Sequence, residues 1–297
     1  MLVFLKNKKK YAIVFALIII LVVGAILFFV VPIKKFKPSG YRDTLQWERV
    51  ITGENSKEIT DKHHEAAKKY IEKKKKECFW ENAFFIGDSV TYGTVSENGD
   101  ARIAKVTYPQ QVCENLSIDS FEANGVGGSS FCIRGMEWFL GREKDFPEKA
   151  DVIFVLGGYN DAFNPTNCIP GDADTPGTVT GDIELLFDCF DEKYPDADVF
   201  VIIPYKIIVG DVVWKLANQE NLEKINGIVR ERASAHGYYI IDLYDSGFLD
   251  ITDGTCREDY YSDSIHLSDA GYKLLGDMIV AEALRLKTGS WDGREGY

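Results

Sequence analysis

The sequence predicts an α/β protein: a parallel sheet covered by helices on both faces, preceded by one N-terminal transmembrane helix. Three observations carry this reading. A stretch of 23 residues without a charge lies near the start of the chain. After residue 78, short apolar runs alternate with segments of helical spacing, the signature of βαβ units. The polar motifs that could carry chemistry fall directly after the apolar runs, and open sheets of this kind bind ligands at the carboxyl ends of their strands. A chain of 297 residues is long enough for a full core beside such an anchor.

Residues 1–10 form a short basic tail, and residues 11–33 are the predicted span. As a helix, the span reaches about 35 Å, enough to cross a hydrocarbon core of ~30 Å. A cleaved signal peptide would have a shorter apolar region and small residues at its end. This stretch instead closes with Phe28, Phe29, Val30, Val31 and Pro32, which reads as a retained anchor. Lys6, Lys8, Lys9 and Lys10 precede it, while Lys34, Lys35, Lys37 and Arg42 follow, so the positive charges nearly balance across the span. The expected orientation is that of a signal anchor, tail inside and the large acidic domain extracytoplasmic.

Residues 34–78 read as a juxtamembrane linker followed by a Lys-rich helix over 56–78. Its Lys73–Lys76 run reads as a solvated face, with contact to an anionic polymer or lipid headgroups as the alternative. Residues 79–288 form the predicted domain and 289–297 a C-terminal tail. Strands are expected at Ala83–Ile86, Val152–Leu156, Val199–Ile203 and Tyr238–Ile241, with a weaker one at Ile118–Ala123. Helices are expected at Tyr108–Leu116, Gly181–Tyr194, Trp214–His236 and Ser268–Leu286. Gly237 closes the third and Ser268 caps the fourth.

Charge excludes one class of partner. Residues 1–37 hold seven Lys and no acid, which leaves 27 basic against 46 acidic residues in the remainder. A body that acidic lacks the basic face needed to contact phosphates, so no nucleic-acid partner is expected. Six cysteines all follow the span and allow 15 pairings, among which sequence does not choose; reduced, buried thiols are the alternative.

The first strand ends in Gly87-Asp88-Ser89. A glycine there permits a sharp turn that leaves the serine exposed. A turn serine capping the next helix is the plainer reading of those three residues alone. A nucleophilic serine also needs a base, and the chain has only four histidines. His63 and His64 fall in the Lys-rich helix, outside the predicted domain, and His236 at a helix end. His266 lies in Asp263-Ser264-Ile265-His266, where three residues of turn place both side chains on one side. Asp263 would take one imidazole N–H and leave the other nitrogen for Ser89. Asn160, in Gly157-Gly158-Tyr159-Asn160-Asp161, offers a side-chain amide at a strand tip. Gly125, Gly127 and Gly128 offer bare backbone N–H groups, and together such donors suit an oxyanion. Asp88 and Asp161 read as loop braces. No metal site and no cofactor are expected. Asp172-x-Asp174 begins like a calcium loop, but Pro176 and Ile183 fall where that loop needs ligands.

These four blocks, in this order, resemble the SGNH (GDSL-type) hydrolase family over roughly residues 79–288. The resemblance implies a three-layer α/β/α fold like flavodoxin. It also implies Ser89 as nucleophile, His266 as base and Asp263 as its orienting partner. Ser89 N–H, Gly128 N–H and the Asn160 amide would form the oxyanion hole. The implied activity is a serine esterase or acylhydrolase. Its expected partners are an ester-bearing small molecule or an acylated glycan of the cell envelope, with the membrane bound through the N-terminal helix. An O-acyltransferase using the same residues, or a non-catalytic wall-binding protein on this fold, are the alternatives.

Overall fold

Short runs of branched and aromatic residues make the sheet, because such side chains pack well on a pleated surface buried on both faces. The computed structural model describes residues 56–207, 213–245, 249 and 254–289. They all belong to one of the chain's two compact units, Ser39–Tyr297. The predicted span 11–33, the basic tail, the linker up to residue 55 and residues 290–297 of the C-terminal tail lie outside the described residues. Among the described residues, no helix is long and apolar enough to cross a membrane.

In chain order the strands are β1 (Asn82–Gly87), β2 (Thr94–Glu97), β3 (Asp100–Ile103), β4 (Ser120–Gly125), β5 (Ser129–Ser130), β6 (Glu137–Trp138), β7 (Val152–Leu156), β8 (Asp198–Ile203) and β9 (Tyr239–Asp242). The helices are α1 (Ser56–Lys74), α2 (Ser89–Tyr92), α3 (Tyr108–Leu116), α4 (Tyr159–Phe163), α5 (Val179–Lys193), α6 (Val213–Ala235), α7 (Gly254–Tyr260) and α8 (Asp269–Thr288). The main sheet has five parallel strands in the order β4-β1-β7-β8-β9. β2–β3 and β5–β6 are separate small pairs.

Register aligns Phe85 with Phe154, Phe154 with Phe200, and Phe200 with Tyr239. Their rings stack at centroid distances of 5.0, 5.3 and 4.9 Å, a ladder across four strands. Each such pair contributes about 0.5–1.5 kcal/mol beyond burial. The layers follow from β1 itself. Phe84 meets Phe190 of α5, whereas the next residue, Phe85, meets Tyr108 of α3. Successive strand residues face opposite sides, so α3 and α5 cover opposite faces. α8 packs beside α3, and α6 beside α5. This is the expected α/β/α arrangement.

Every strand and helix expected for 79–288 is found, with ends shifted by at most two residues. α5 begins at Val179 because the Thr178 side chain caps the Gly181 N–H. Ser268 caps α8 through the Gly271 N–H at 3.1 Å, as expected. The Lys-rich helix differs from expectation. Its sequence sets it apart from the domain, yet α1 packs on α8 with Ala67, Tyr70 and Ile71 buried. His64 Nε2 lies 2.5 Å from Asp277 on α8, and Asp277 also accepts from Gln111 at 2.7 Å and Asn115 at 2.6 Å. Burial alone would raise the Asp277 carboxyl; the bonds from His64, Asn115 and Gln111 outweigh it and hold it below the usual carboxylate range.

Candidate active site

Ser89 stands where β1 ends and the one-turn helix α2 begins. The turn is tight. A Cβ on Gly87 would lie 2.1 Å from Thr91 Oγ1 and 2.4 Å from the Leu156 carbonyl, so only glycine fits there. Asp88 caps α2 by accepting the Val90 N–H at 2.9 Å. Its carboxyl is fully buried, and burial pushes it up to about 7 against that hydrogen bond. Asp88 thus braces the turn from below and directs Ser89 outward.

His266 and Asp263 come from the loop before α8. Asp263 Oδ1 accepts the backbone N–H groups of Ile265 at 2.8 Å and His266 at 2.7 Å. Those bonds curl the loop until Asp263 Oδ2 meets His266 Nδ1 at 2.7 Å. His266 Nε2 then lies 2.9 Å from Ser89 Oγ. Burial would raise the Asp263 carboxyl, but its bonds from His266 and the Ile265 N–H hold it below the ordinary range. It is therefore a carboxylate at neutral pH, fit to hold an N–H on Nδ1 and leave Nε2 as acceptor for the serine proton.

Val126–Ser129 forms a turn closed by Ser129 N–H to Val126 O at 3.1 Å. Gly128 sits in it at φ +80°, a left-handed conformation that favours glycine. The turn is tied to the tip of β1, since Val126 N–H and Ser129 Oγ both donate to the Gly87 carbonyl, at 3.2 and 2.9 Å. Asn160, at the start of α4, donates through Nδ2 to the Ser129 carbonyl at 2.8 Å. That bond uses one amide hydrogen and fixes the plane of the other. The structure therefore joins Ser89 to His266 and Asp263 directly. Gly128 and Asn160 are linked to that tip through Gly87 and Ser129.

Three supporting residues are given no role by the sequence. Arg142 is buried and reaches Asn124 Oδ1 at 2.5 Å and the Gly87 carbonyl at 3.2 Å, clamping the ends of β1 and β4 together. Tyr159 OH donates to the Tyr205 carbonyl at 2.7 Å, and Tyr205 OH donates to the Ile265 carbonyl at 2.8 Å. This relay moors the His266 loop to the ends of α4 and β8. The tyrosines' places after strand tips are a visible signal; Arg142, in a segment without periodicity, gives none. Asp161 braces its loop as expected, accepting the N–H groups of Phe131 and Cys132 at 3.1 and 2.9 Å.

Among the described residues, one group has metal-ligand geometry, Glu184 and Asp188 on α5 and His236 just after α6. Two of its members are already engaged. His236 Nδ1 meets Asp191 at 2.6 Å, and the Arg232 guanidinium lies 3.4 Å from Glu184, a positive charge beside the group. The group shares no residue with the Ser89 site.

The GDSL-like lipase/acylhydrolase family model matches residues 85–274, which span all four blocks. No curated protein matches the chain. Solved structures do. A protein from Lactobacillus plantarum is 19% identical, with a TM-score of 0.57, covering 68% of this chain and 95% of its own. An aryl esterase from M. smegmatis is 18% identical, with a TM-score of 0.53, over 69% and 98%. A lipase/acylhydrolase from Enterococcus faecalis is 22% identical, with a TM-score of 0.50, over 69% and 95%. At these identities the likeness concerns the fold.

Proposed function

Because the chain belongs to the GDSL-like lipase/acylhydrolase family and is an ester-bond hydrolase, we propose that it cleaves acyl or acetyl esters through a covalent acyl-serine on Ser89. One observation carries this reading: the unbroken line of hydrogen bonds from Asp263 through His266 to Ser89, at 2.7 and 2.9 Å. In the proposed reaction Ser89 Oγ attacks the ester carbonyl while His266 Nε2 takes its proton. The tetrahedral oxyanion is met by the backbone N–H groups of Ser89 and Gly128 and by the Asn160 amide. His266 passes the proton to the departing alcohol. It then draws a proton from water, which attacks the acyl-serine and releases the acid. Asp263 keeps the imidazole in its tautomer and balances its positive charge throughout.

The proposed setting is extracytoplasmic, with the domain held at the membrane by residues 11–33. The substrates proposed for that setting are acylated or acetylated glycans and other cell-envelope polymers. Two measurements test the reading. A fluorophosphonate probe should label Ser89, and short-chain aryl esters and acetylated glycans should be hydrolysed. Absence of both labelling and turnover in the folded protein removes the proposal. Protease added to intact cells should digest the domain; protection until lysis would place it in the cytoplasm.

A further inference from the structure

Among the five cysteines whose side chains are described, Cys132 and Cys168 are a pair in mutual contact, the Cys168 thiol hydrogen-bonding the Cys132 sulfur. They are 36 positions apart in sequence. Cys132 follows the Gly128–Ser130 segment beside the site. Cys168 lies in the loop 164–178 that runs from α4 to α5. Both are buried, at 0% and 2% exposure.

Independent bonds hold both backbones in place. Cys132 N–H donates to Asp161 at 2.9 Å, and Ile133 N–H to Asp182 at 2.8 Å. Asp182 also accepts the Gly177 N–H at 2.8 Å, so one buried carboxylate grips both segments. Cys168 N–H donates to the Asn164 carbonyl at 2.8 Å. Cys132 Sγ stands 4.0 Å from the Asn167 carbonyl, the residue before its partner. Both are free thiols in the structure, and these bonds hold the two segments so that the thiols face each other, as partners of a disulfide must. Of the 15 complete pairings that six cysteines allow, the structure favours those containing this pair.

We propose that Cys132 and Cys168 close a disulfide that fastens the 164–178 loop to the segment carrying Gly128. The inference uses the extracytoplasmic setting proposed above, because disulfides persist in oxidising compartments. The oxidant is a disulfide-bearing molecule, RSSR, such as an exported thiol–disulfide oxidoreductase. The Cys132 thiolate attacks one sulfur of RSSR and expels RS⁻, which takes up the proton lost by Cys132. The Cys168 thiolate then attacks Sγ of Cys132, breaks the mixed disulfide and expels the second RS⁻, which takes the Cys168 proton. Two cysteine thiols lose two electrons and RSSR becomes two RSH. With both sulfurs buried in the folded chain, the exchange belongs to folding, before the loop closes.

The test uses the full chain in detergent, purified without reductant from the cells that make it. It is denatured in the presence of iodoacetamide and cleaved after glutamate. Cleavage there isolates Cys132 in residues 123–137 and Cys168 in residues 149–184, each free of other cysteines. Mass spectrometry should find these two peptides joined, separating on reduction, with the linked pair carrying no alkyl group. A parallel sample of reduced chain, refolded in a glutathione redox buffer, separates the chemistry from the location. Linkage in both samples supports the proposal. Linkage in glutathione alone supports the disulfide and overturns the extracytoplasmic setting. Alkylation of both cysteines in both samples, or linkage of either to a different cysteine, overturns the proposal.

Discussion

Asn160 donates its side-chain amide to the Ser129 carbonyl at 2.8 Å, one residue from Gly128, so a single bond from one candidate oxyanion donor to the neighbour of the other ties the two together. Only the second amide hydrogen is left for substrate. Asn160→Ala should lower kcat by roughly 10²–10³ with little change in KM, the loss expected when one oxyanion donor is removed. A purely structural Asn160 would instead lower the melting temperature and leave kcat near normal in the folded fraction. Active-site titration paired with a melting curve separates the two.

Ser89 and His266 act as a unit in the proposed reaction. Ser89→Ala, His266→Ala and the double variant should fall to a similar floor of kcat/KM, because losing either removes the activated nucleophile. Additive losses in the double variant would show that the two residues act separately.

Asp263 does two jobs that substitution separates. Asp263→Asn keeps an oxygen for the Ile265 and His266 N–H groups, so the loop should survive while the imidazole proton is misplaced and kcat falls by about 10⁴. Asp263→Ala also removes the acceptor for those N–H groups, and should lower the melting temperature below that of Asp263→Asn. Equal melting temperatures would mean the loop is held without Asp263.

Asp88 should make stability depend on pH. Burial pushes its folded-state carboxyl up to about 7 from an ordinary 3.8, so the folded chain binds the proton more tightly than the unfolded chain. Stability then falls as pH rises from about 4 to about 7, by at most about 1.4 kcal/mol per unit while Asp88 titrates. Asp161 has the same sign but is raised only to about 6. Asp88→Asn keeps the Val90 bond and should lower the slope from about pH 4 to about 7, leaving the curve nearly flat above the Asp161 range, between about 6 and 7. Urea unfolding across that range measures it, and an unchanged slope would assign the titration elsewhere.

α1 should be required for full stability. Asp277→Ala strands His64, Gln111 and Asn115 and should cost about 3–5 kcal/mol. His64→Ala should cost less, about 1–3 kcal/mol. A chain starting at residue 79 loses His64 together with the buried Ala67, Tyr70 and Ile71, and should melt below His64→Ala. Equal melting of the two would make α1 a passenger.

What the sequence discloses follows from how locally each feature is encoded. β7 and β8 are continuous apolar runs, buried on both faces, and are legible to within a residue. β4 gives a weaker signal because it is an edge strand whose side chains are largely exposed, Phe121 and Glu122 among them. The β2–β3 hairpin has no counterpart in the sequence reading, although Asn98 and Gly99 at φ 53° and 90° are the two-residue turn such a pair requires. Ser89, Asp263 and His266 are legible because their spacing and neighbours are local. Arg142 and the Tyr159–Tyr205 relay act through partners remote in sequence, which no periodicity announces. α1 is misplaced by its sequence for the same reason: its Lys-rich face is plain, while the acceptor of His64 lies 213 residues away.

Ser89 and His266 meet across 177 residues, one at the tip of the first sheet strand and the other after the last. No fragment ending before residue 266 can hold both. Between them the chain must complete four crossovers in a parallel sheet, and such long-range closures are slow to form. Turnover is therefore a late reporter of folding. In a refolding experiment, ester hydrolysis should lag behind the recovery of helical circular dichroism, and a nascent chain still emerging from its ribosome carries a serine without its base.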